Sequence, residues 1–470
     1  METVEYDAVV VGAGPGGYPC AIRLGQLGKK TLCIEKDNWG GVCLNVGCIP
    51  SKALISAAKR YQELKSSAAL GINVTGEISV DMNKTQEWKQ GIVKRLTGGV
   101  DFLLKSNGVD RMIGTADFAG GKSVVVTKAD GSQVNVKADN VILAVGSRPI
   151  EIPGFPYAED RIMDSTKALA LTEVPERIAV IGGGYIGLEM GMMYAKLGSK
   201  VTVVEMGASV LGLFDKDVVK VITKKMKKLG IKTLTKVRAE GWEEGDNGAI
   251  LKVRKEDGSL KEVECDKILV TVGRRANSEQ LSNMGVALNE RGYVITDDQQ
   301  KTNIDGVYAI GDITGRTMLA HGASYEGELA AEVIAGHNRH YQALTVPAVV
   351  FTDPEIGVAG LQEHEAIAEG YTVKVGQMPF AALGRAMTTG GSTDGFFKVI
   401  LDDADNRVLG VTIVGPSASD LISEAALAVE LWAEGLDLGL TIHPHPTLSE
   451  GMMEAAKHAL GEAIHIANKK

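Results

Sequence analysis

The chain is short of several things. Only five of its 470 residues are cysteine, at positions 20, 33, 43, 48 and 265. Five scattered thiols in so long a chain form no disulfide framework and point to a reducing compartment. Basic charge is not in excess: 50 Lys and Arg stand against 59 Asp and Glu, a net charge of −9. That balance lacks the basic footprint of a nucleic-acid binder. Long apolar runs are missing as well. The longest stretch without a charged residue, Ala8–Ile22, is interrupted by glycines and prolines, whereas a bilayer span takes about 20 mainly apolar residues. No membrane role is expected. Glu2, Glu5 and Asp7 precede the first basic residue, Arg23, so the positive start of a signal or transit peptide is absent and a cytoplasmic location is expected. No low-complexity segment occurs.

Glycine is abundant. An average content of about 7% would give roughly 33 glycines, and the chain has 57. Such an excess outside a repeat marks tight turns where the backbone approaches a ligand. The apolar run Val9–Val11 leads into Gly12-Ala-Gly14-Pro-Gly-Gly17, a helical pattern from Cys20 to Leu27, and a second strand pattern Thr31–Glu35. The order returns in Ile178–Ile181, Gly182-Gly-Gly184-Tyr-Ile-Gly187, a helix to Leu197, and Val201–Glu205. Gly182 follows Gly12 by 170 positions, and Glu205 follows Glu35 by the same 170. One GxGxxG is a weak signal; two, each on strand–turn–helix with an acid ending the next strand, are a strong one. The first glycine permits the turn, the second admits a pyrophosphate at the helix N-terminus, and the third lets helix and strand pack closely. Glu35 and Glu205 are expected to accept bonds from ribose hydroxyls and to repel a 2′-phosphate, favouring FAD or NAD over NADP. A fainter repeat closes each unit, Asp139–Pro149 resembling Asp266–Ala276.

Two further segments carry chemistry. In Gly40-Gly-Val-Cys43-Leu-Asn-Val-Gly-Cys48-Ile-Pro-Ser-Lys52 the cysteines stand five apart, which is no zinc-ribbon spacing, and no second pair completes a ligand set. They are either two buried free thiols or a small disulfide ring at a helix start, where the dipole lowers a thiol pKa. Lys52 lies one turn beyond Cys48. Near the end, Thr441-Ile-His443-Pro-His445-Pro-Thr-Leu-Ser-Glu450 holds two of the eight histidines in a proline-framed loop. A His445–Glu450 pair suits a general base. Metal binding by His443 and His445 is the alternative, without a visible third ligand.

Together with Ile310-Gly311-Asp312, Met318-Leu-Ala-His321 and Phe351-Thr-Asp-Pro-Glu355, these motifs resemble the pyridine nucleotide–disulfide oxidoreductases over essentially the whole chain. The resemblance implies an α/β fold with two Rossmann-like nucleotide domains and a C-terminal α+β dimerisation domain. The expected boundaries are 1–150 for an FAD domain with the redox disulfide and 151–277 for an NAD domain. A central domain at 278–345 would complete the FAD site, and 346–470 would form the interface. It implies one FAD per subunit, held by Gly12, Gly14, Gly17, Glu35, Lys52, Ala116, Gly146, Gly311, Asp312, Ala320 and His321. NAD would meet Gly182, Gly184, Tyr185, Ile186, Gly187, Glu189, Glu205 and Gly273, with Glu189 near Lys52. Cys43, Cys48, Lys52, His445 and Glu450 would be catalytic, His445 reaching the disulfide of the other subunit of a homodimer, and no metal would be needed. The favoured reaction is oxidation of protein-bound dihydrolipoamide by NAD, with lipoyl-bearing proteins of 2-oxo acid dehydrogenase or glycine cleavage complexes as partners. The rivals are an NADPH-linked reductase of the glutathione reductase kind and a flavin-loaded scaffold without turnover. The absence of cysteine after Cys265 sets aside relatives that carry a C-terminal redox pair, such as mercuric reductases and the large thioredoxin reductases.

Overall fold

The apolar run Ala8–Val11 is the buried inner end of the strand Glu2–Val11, flanked in parallel by Thr31–Glu35 and Gln133–Leu143. Parallel strands covered on both faces are apolar throughout, and every residue of Thr31–Glu35 is buried. This computed structural model describes residues 1–118 and 120–468. The first sheet runs in the order 110–113, 31–35, 2–11, 133–143, 123–127, 115–118. Its seventh strand, Val307–Ala309, joins Gln133–Leu143 in parallel from far along the chain.

The second sheet repeats the plan, with Arg177–Ile181 between Lys200–Val204 and Lys267–Val270, all parallel. An antiparallel meander, Val237–Gly245, Gly248–Lys255 and Leu260–Cys265, is built onto it. The two sequence units that close with Gly and Arg meet in space, because Ser147–Pro149 pairs antiparallel with Arg274–Ala276. The third sheet is antiparallel, in the order 348–350, 355–360, 408–415, 396–402, 373–379. Helices Ala418–Glu430 and Glu450–Leu460 pack on it around Phe397, Ile413, Ala425 and Ala455.

Some local expectations shift. The first helix starts at Gly17, not Cys20. The helix Ala418–Glu430 stops short of Glu434, since Trp432 takes a positive φ of 58° and turns the chain away. The strand expected from Asp139 to Gly146 ends at Leu143, one ladder bond before Ala144 N–H donates to Val11 O at 2.9 Å. Residues 278–345 build no sheet of their own among the described residues. They lend Val307–Ala309 to the first sheet and lay helix Ala320–Ile334 against Gly17–Gln26. One helical run, 41–70, has the length and apolarity of a membrane span. It is broken at Gly47, and its Leu54 and Ala58 belong to the same core as Leu188 and Met192.

Candidate active site

The two glycine turns are built alike. Gly12 and Gly182 have φ of 103° and 105°, a region that only glycine enters without strain. A Cβ on Gly14 or Gly184 would meet nothing within 4 Å, which leaves an open cradle at each helix start. A Cβ on Gly17 or Gly187 would run into the carbonyl oxygen of Gly12 or Gly182. Each turn is locked by the acid at the end of the next strand. Glu35 accepts Ala13 N–H at 2.8 Å and Asp37 N–H at 3.0 Å; Glu205 accepts Gly183 N–H at 2.6 Å and Gly207 N–H at 2.5 Å. A carboxylate has about four lone-pair sites, so both keep capacity for ribose hydroxyls. Beside the second turn lies a cavity of about 380 Å³ lined by Gly183, Gly184, Glu205, Gly207, Ala208, Ser209, Leu211 and Gly212. The open second glycine, the strand-end acid and the free helix N-terminus fit a dinucleotide at both turns.

The cysteine segment is pressed onto the first turn. Gly40 N–H donates to Ala13 O at 2.9 Å, and a Cβ on Gly41 would lie 2.6 Å from Gly14 Cα. Cys43 sits in the short helix Gly41–Val46, the chain breaks at Gly47, and Cys48 opens the 19-residue helix Cys48–Ser66. The two cysteines lie close together across that break. Cys48 is pulled down to about 7, first by the hydrogen bond from Cys43 and then, against burial, by Lys52. Cys43 is pushed up by the same bond and by burial. Of the two sulfurs, Cys48 is the one whose thiolate is favoured, and its place at a helix N-terminus acts in the same direction.

Lys52 Nζ lies 2.8 Å from Glu189 Oε2 in the helix Tyr185–Leu197 of the second unit, and 4.4 Å over the ring of Phe351. Glu189 Oε1 accepts Phe351 N–H at 2.8 Å. The Tyr185 phenol is raised, first by burial and then by Glu189, with Asp312 and Cys48 adding to it and Arg274 opposing. Cys48, Glu189 and Asp312 are thus near enough to Tyr185 to act on its charge, and Ile186 packs against the core that holds Leu188 and Met192. Asp312, in the turn Gly311–Thr314, accepts from Ser147 Oγ, which in turn accepts from Arg274 Nε at 2.7 Å. Gly146 and Gly273, with φ of 68° and 128°, immediately precede Ser147 and Arg274 of this contact. Ala116 follows Gly114, whose N–H donates to Glu35 O at 2.9 Å. Ala320 opens the helix Ala320–Ile334, and Ser324 Oγ in that helix donates to Pro15 O at 2.8 Å. The His321 ring is held through Nε2, 2.7 Å from Pro347 O.

The two histidines divide their roles. His443 is buried with both ring nitrogens engaged, Nε2 at 2.8 Å from Glu424 and Nδ1 at 2.8 Å from Thr441 O. It is therefore not free to ligate a metal. His445 Nδ1 lies 2.8 Å from Glu450 Oε1, and Glu450 Oε2 accepts Thr447 N–H at 2.9 Å. The His445 side chain is 78% exposed, and its Nε2 has no partner among the described residues. Within one chain no hydrogen bond or ion pair joins His445 to either cysteine. Ser147, Arg274 and Glu326 were not expected from the sequence. Glu326 is fully buried and accepts Gly311 N–H at 2.6 Å. The shared Gly-Arg ending of the closing strands was the one signal for Arg274.

Residues 6–327 match the family described as pyridine nucleotide-disulphide oxidoreductase, and residues 346–456 match that family's dimerisation domain. A dihydrolipoyl dehydrogenase of Geobacillus stearothermophilus is 47% identical over 468 residues, 99% of this chain and 98% of its own. One of Halobacterium salinarum is 46% identical, covering 98% of each chain. Among solved structures, LpdA of Mycobacterium tuberculosis superposes with a TM-score of 0.88 at 27% identity, over 97% of this chain and 99% of its own. The HOCl-induced flavoprotein disulfide reductase RclA of Escherichia coli gives 0.86 at 25% identity, over 97% and 99%.

Proposed function

The chain belongs to the pyridine nucleotide-disulphide oxidoreductases, a flavin- and nicotinamide-dependent family of enzymes, and from that premise we propose that it oxidises protein-bound dihydrolipoamide to lipoamide. The proposed cofactors are one FAD per subunit and NAD. The observation that carries the reading is the placement of the two cysteines on either side of the break at Gly47, with Lys52 one turn beyond Cys48 and paired with Glu189. The names borne by relatives of 46–47% identity over nearly the full chain support the same substrate.

In this reading His445 Nε2 takes the proton from one substrate thiol, and Glu450 keeps Nδ1–H oriented. The substrate thiolate attacks Cys43 Sγ of the oxidised pair, forming a mixed disulfide and releasing Cys48 as a thiolate. The second substrate thiol then attacks the substrate sulfur of that mixed disulfide, its proton passing to the departing Cys43 sulfur while His445 keeps the first. Cyclic lipoamide leaves, Cys43 takes up the proton, and the pair holds the two electrons that the substrate has lost. The flavin supplies, when bound, the two-electron relay from the dithiol to the nicotinamide. Lys52 balances the charge on Cys48 and is itself held by Glu189. Gly12, Gly14, Gly17, Glu35, Ala116, Gly146, Gly311, Asp312, Ala320 and His321 would hold the FAD. Gly182, Gly184, Tyr185, Ile186, Gly187, Glu205 and Gly273 would hold the NAD. Because His445 meets neither cysteine of its own chain, the base at each pair is His445 of the partner subunit in a homodimer. The lipoyl arm would come from a 2-oxo acid dehydrogenase or glycine cleavage complex, in the cytoplasm.

The test is an anaerobic titration of the purified holoprotein with dihydrolipoamide, followed by NAD. A long-wavelength thiolate–flavin absorption should appear with the dithiol and vanish with formation of NADH. No spectral change with the dithiol, or reoxidation by NADP and not by NAD, would overturn the reading.

A further inference from the structure

The segment between Glu205 and the helix Lys216–Lys228 forms one wall of the 380 Å³ cavity beside the second glycine turn. Its near half is tied within its own unit. Glu205 accepts Gly207 N–H, Leu211 N–H donates to Gly183 O at 2.9 Å, and Lys236 N–H donates to Gly207 O at 2.9 Å. Its far half is tied elsewhere. Gln362, buried in the C-terminal unit, donates from Nε2 to Leu213 O at 2.9 Å and accepts Asp215 N–H at Oε1 at 3.1 Å. Behind this clamp, Lys398 Nζ, fully buried, lies 2.7 Å from Asp215, 2.8 Å from Asp217 and 3.3 Å from Glu363.

So large a desolvation cost is repaid only if every partner stays in place. Burial alone would lower the Lys398 ammonium, yet its hydrogen bonds with Asp215 and Asp217 keep it raised. The lysine thus fixes the start of the helix Lys216–Lys228 to the dimerisation sheet. Gln362 extends that anchor two residues further, to the end of the cavity wall.

We propose that Gln362, backed by the Lys398–Asp215–Asp217 cluster, is a positioning residue for the nicotinamide dinucleotide, through which the dimerisation unit sets NAD affinity. The proposal rests on the reading that NAD occupies the cavity beside Glu205. Gln362 touches no reacting atom; it holds residues 213–215, the far end of the segment, before the dinucleotide arrives, so its loss is felt in binding and not in hydride transfer. Linkage makes the effect reciprocal, so a dinucleotide in the cavity must also tighten residues 361–365.

The experiment compares Gln362→Met, which keeps the shape and removes both amide bonds, with Gln362→Ala, Gln377→Ala and Glu205→Ala in the holoenzyme. Gln377 bonds Asp217 at 2.8 Å on the side of the cluster away from the cavity wall. Both Gln362 variants should weaken NADH binding about fivefold to tenfold, as two lost hydrogen bonds at a partly ordered site suggest. The limiting rate of flavin reduction by NADH, and reduction by dihydrolipoamide, should stay unchanged, and Gln377→Ala should bind NADH normally. In the unaltered enzyme, NAD should slow amide exchange in 361–365. Normal NADH binding in both Gln362 variants overturns the proposal if Glu205→Ala still weakens it. Normal binding in all of them overturns the placement of NAD instead. An equal loss in both half-reactions, shared by Gln377→Ala, means a general structural role and also overturns it. If neither Gln362 variant folds, unchanged exchange at 361–365 on adding NAD does the same.

Discussion

Lys52 and Glu189 stand 137 positions apart in sequence and 2.8 Å apart in space, and their ion pair joins the cysteine helix to the second nucleotide unit. Lys52 is one turn from Cys48 on its own helix, and Glu189 is one turn from Tyr185 on the facing one. The pair therefore places a positive and a negative charge at graded distances from the same sulfur. Lys52 lowers Cys48 and Glu189 raises it.

Opposite substitutions should move Cys48 in opposite directions. With the reduced protein, alkylation by iodoacetamide should titrate near pH 7 at Cys48. Lys52→Met should shift that midpoint upward and slow alkylation at pH 7 roughly tenfold, the effect of one pKa unit. Glu189→Gln should shift it downward. Cys43→Ser should keep a long-wavelength thiolate–flavin absorption without reductant, and Cys48→Ser should lack it. Equal spectra in the two cysteine variants would refute the assignment of Cys48 as the sulfur against the flavin.

Glu205 does two things at once, which sharpens what its replacement should do. Its carboxylate repels a 2′-phosphate, and it also holds Gly183 N–H and Gly207 N–H. Glu205→Ala with an arginine placed nearby should raise the NADP-to-NAD preference, while total affinity falls because the turn loses two anchors. A steady-state comparison of kcat/KM for the two nucleotides reads this directly. Equal use of NAD and NADP by the unaltered enzyme would contradict the role given to Glu205.

The parts of the site that could be read in sequence are those whose chemistry is contiguous. Gly12 to Gly17, Cys43 to Lys52 and His445 to Glu450 each span ten residues or fewer, so spacing alone states what the residues can do together. Glu35 and Glu205 were legible through the repeat. Ser147 and Arg274, 127 positions apart, meet when strands from different units pair, and Lys398 and Asp215, 183 apart, meet when a helix start of one unit docks on the sheet of another. A lysine on the strand Phe396–Asp402 reads as a solvent-facing residue by composition. Nothing local shows that three carboxylates close around it. The start of the first helix at Gly17 was hidden for a related reason, since apolar periodicity begins only at Cys20 while the turn's glycines already carry helical geometry.

His443 should give the fold a pH dependence of definite sign. Its hydrogen bond to Glu424 raises it above the ordinary imidazole range, against the effect of burial. A group raised on folding contributes fully below its unfolded pKa, about 6.5, and loses the contribution as pH rises through the folded value. His443→Gln should therefore lower the melting temperature more at pH 6 than at pH 9, and should leave reduction of the flavin by NADH unchanged at pH 7. A melting-temperature difference that is flat across this range would show that the imidazolium is not what the Glu424 contact stabilises.

The base and the dimer can be tested together. His445→Gln should slow dithiol oxidation by about 10²–10⁴-fold, the usual contribution of a positioned general base, while NADH still reduces the flavin at its normal rate. Glu450→Ala should cost less, because the imidazole remains and only its orientation is released. The decisive measurement mixes subunits. A dimer of one Cys43→Ser chain and one His445→Gln chain holds one intact composite site and one doubly damaged site if Cys43 of each chain works with His445 of the other. That hybrid should regain about half of the native activity per dimer, by counting sites related by the two-fold. If Cys43 and His445 work within one chain, both sites of the hybrid are damaged and it is as inactive as its parents. The free Nε2 of His445, 78% exposed and unconnected to either cysteine of its own chain, favours the first outcome.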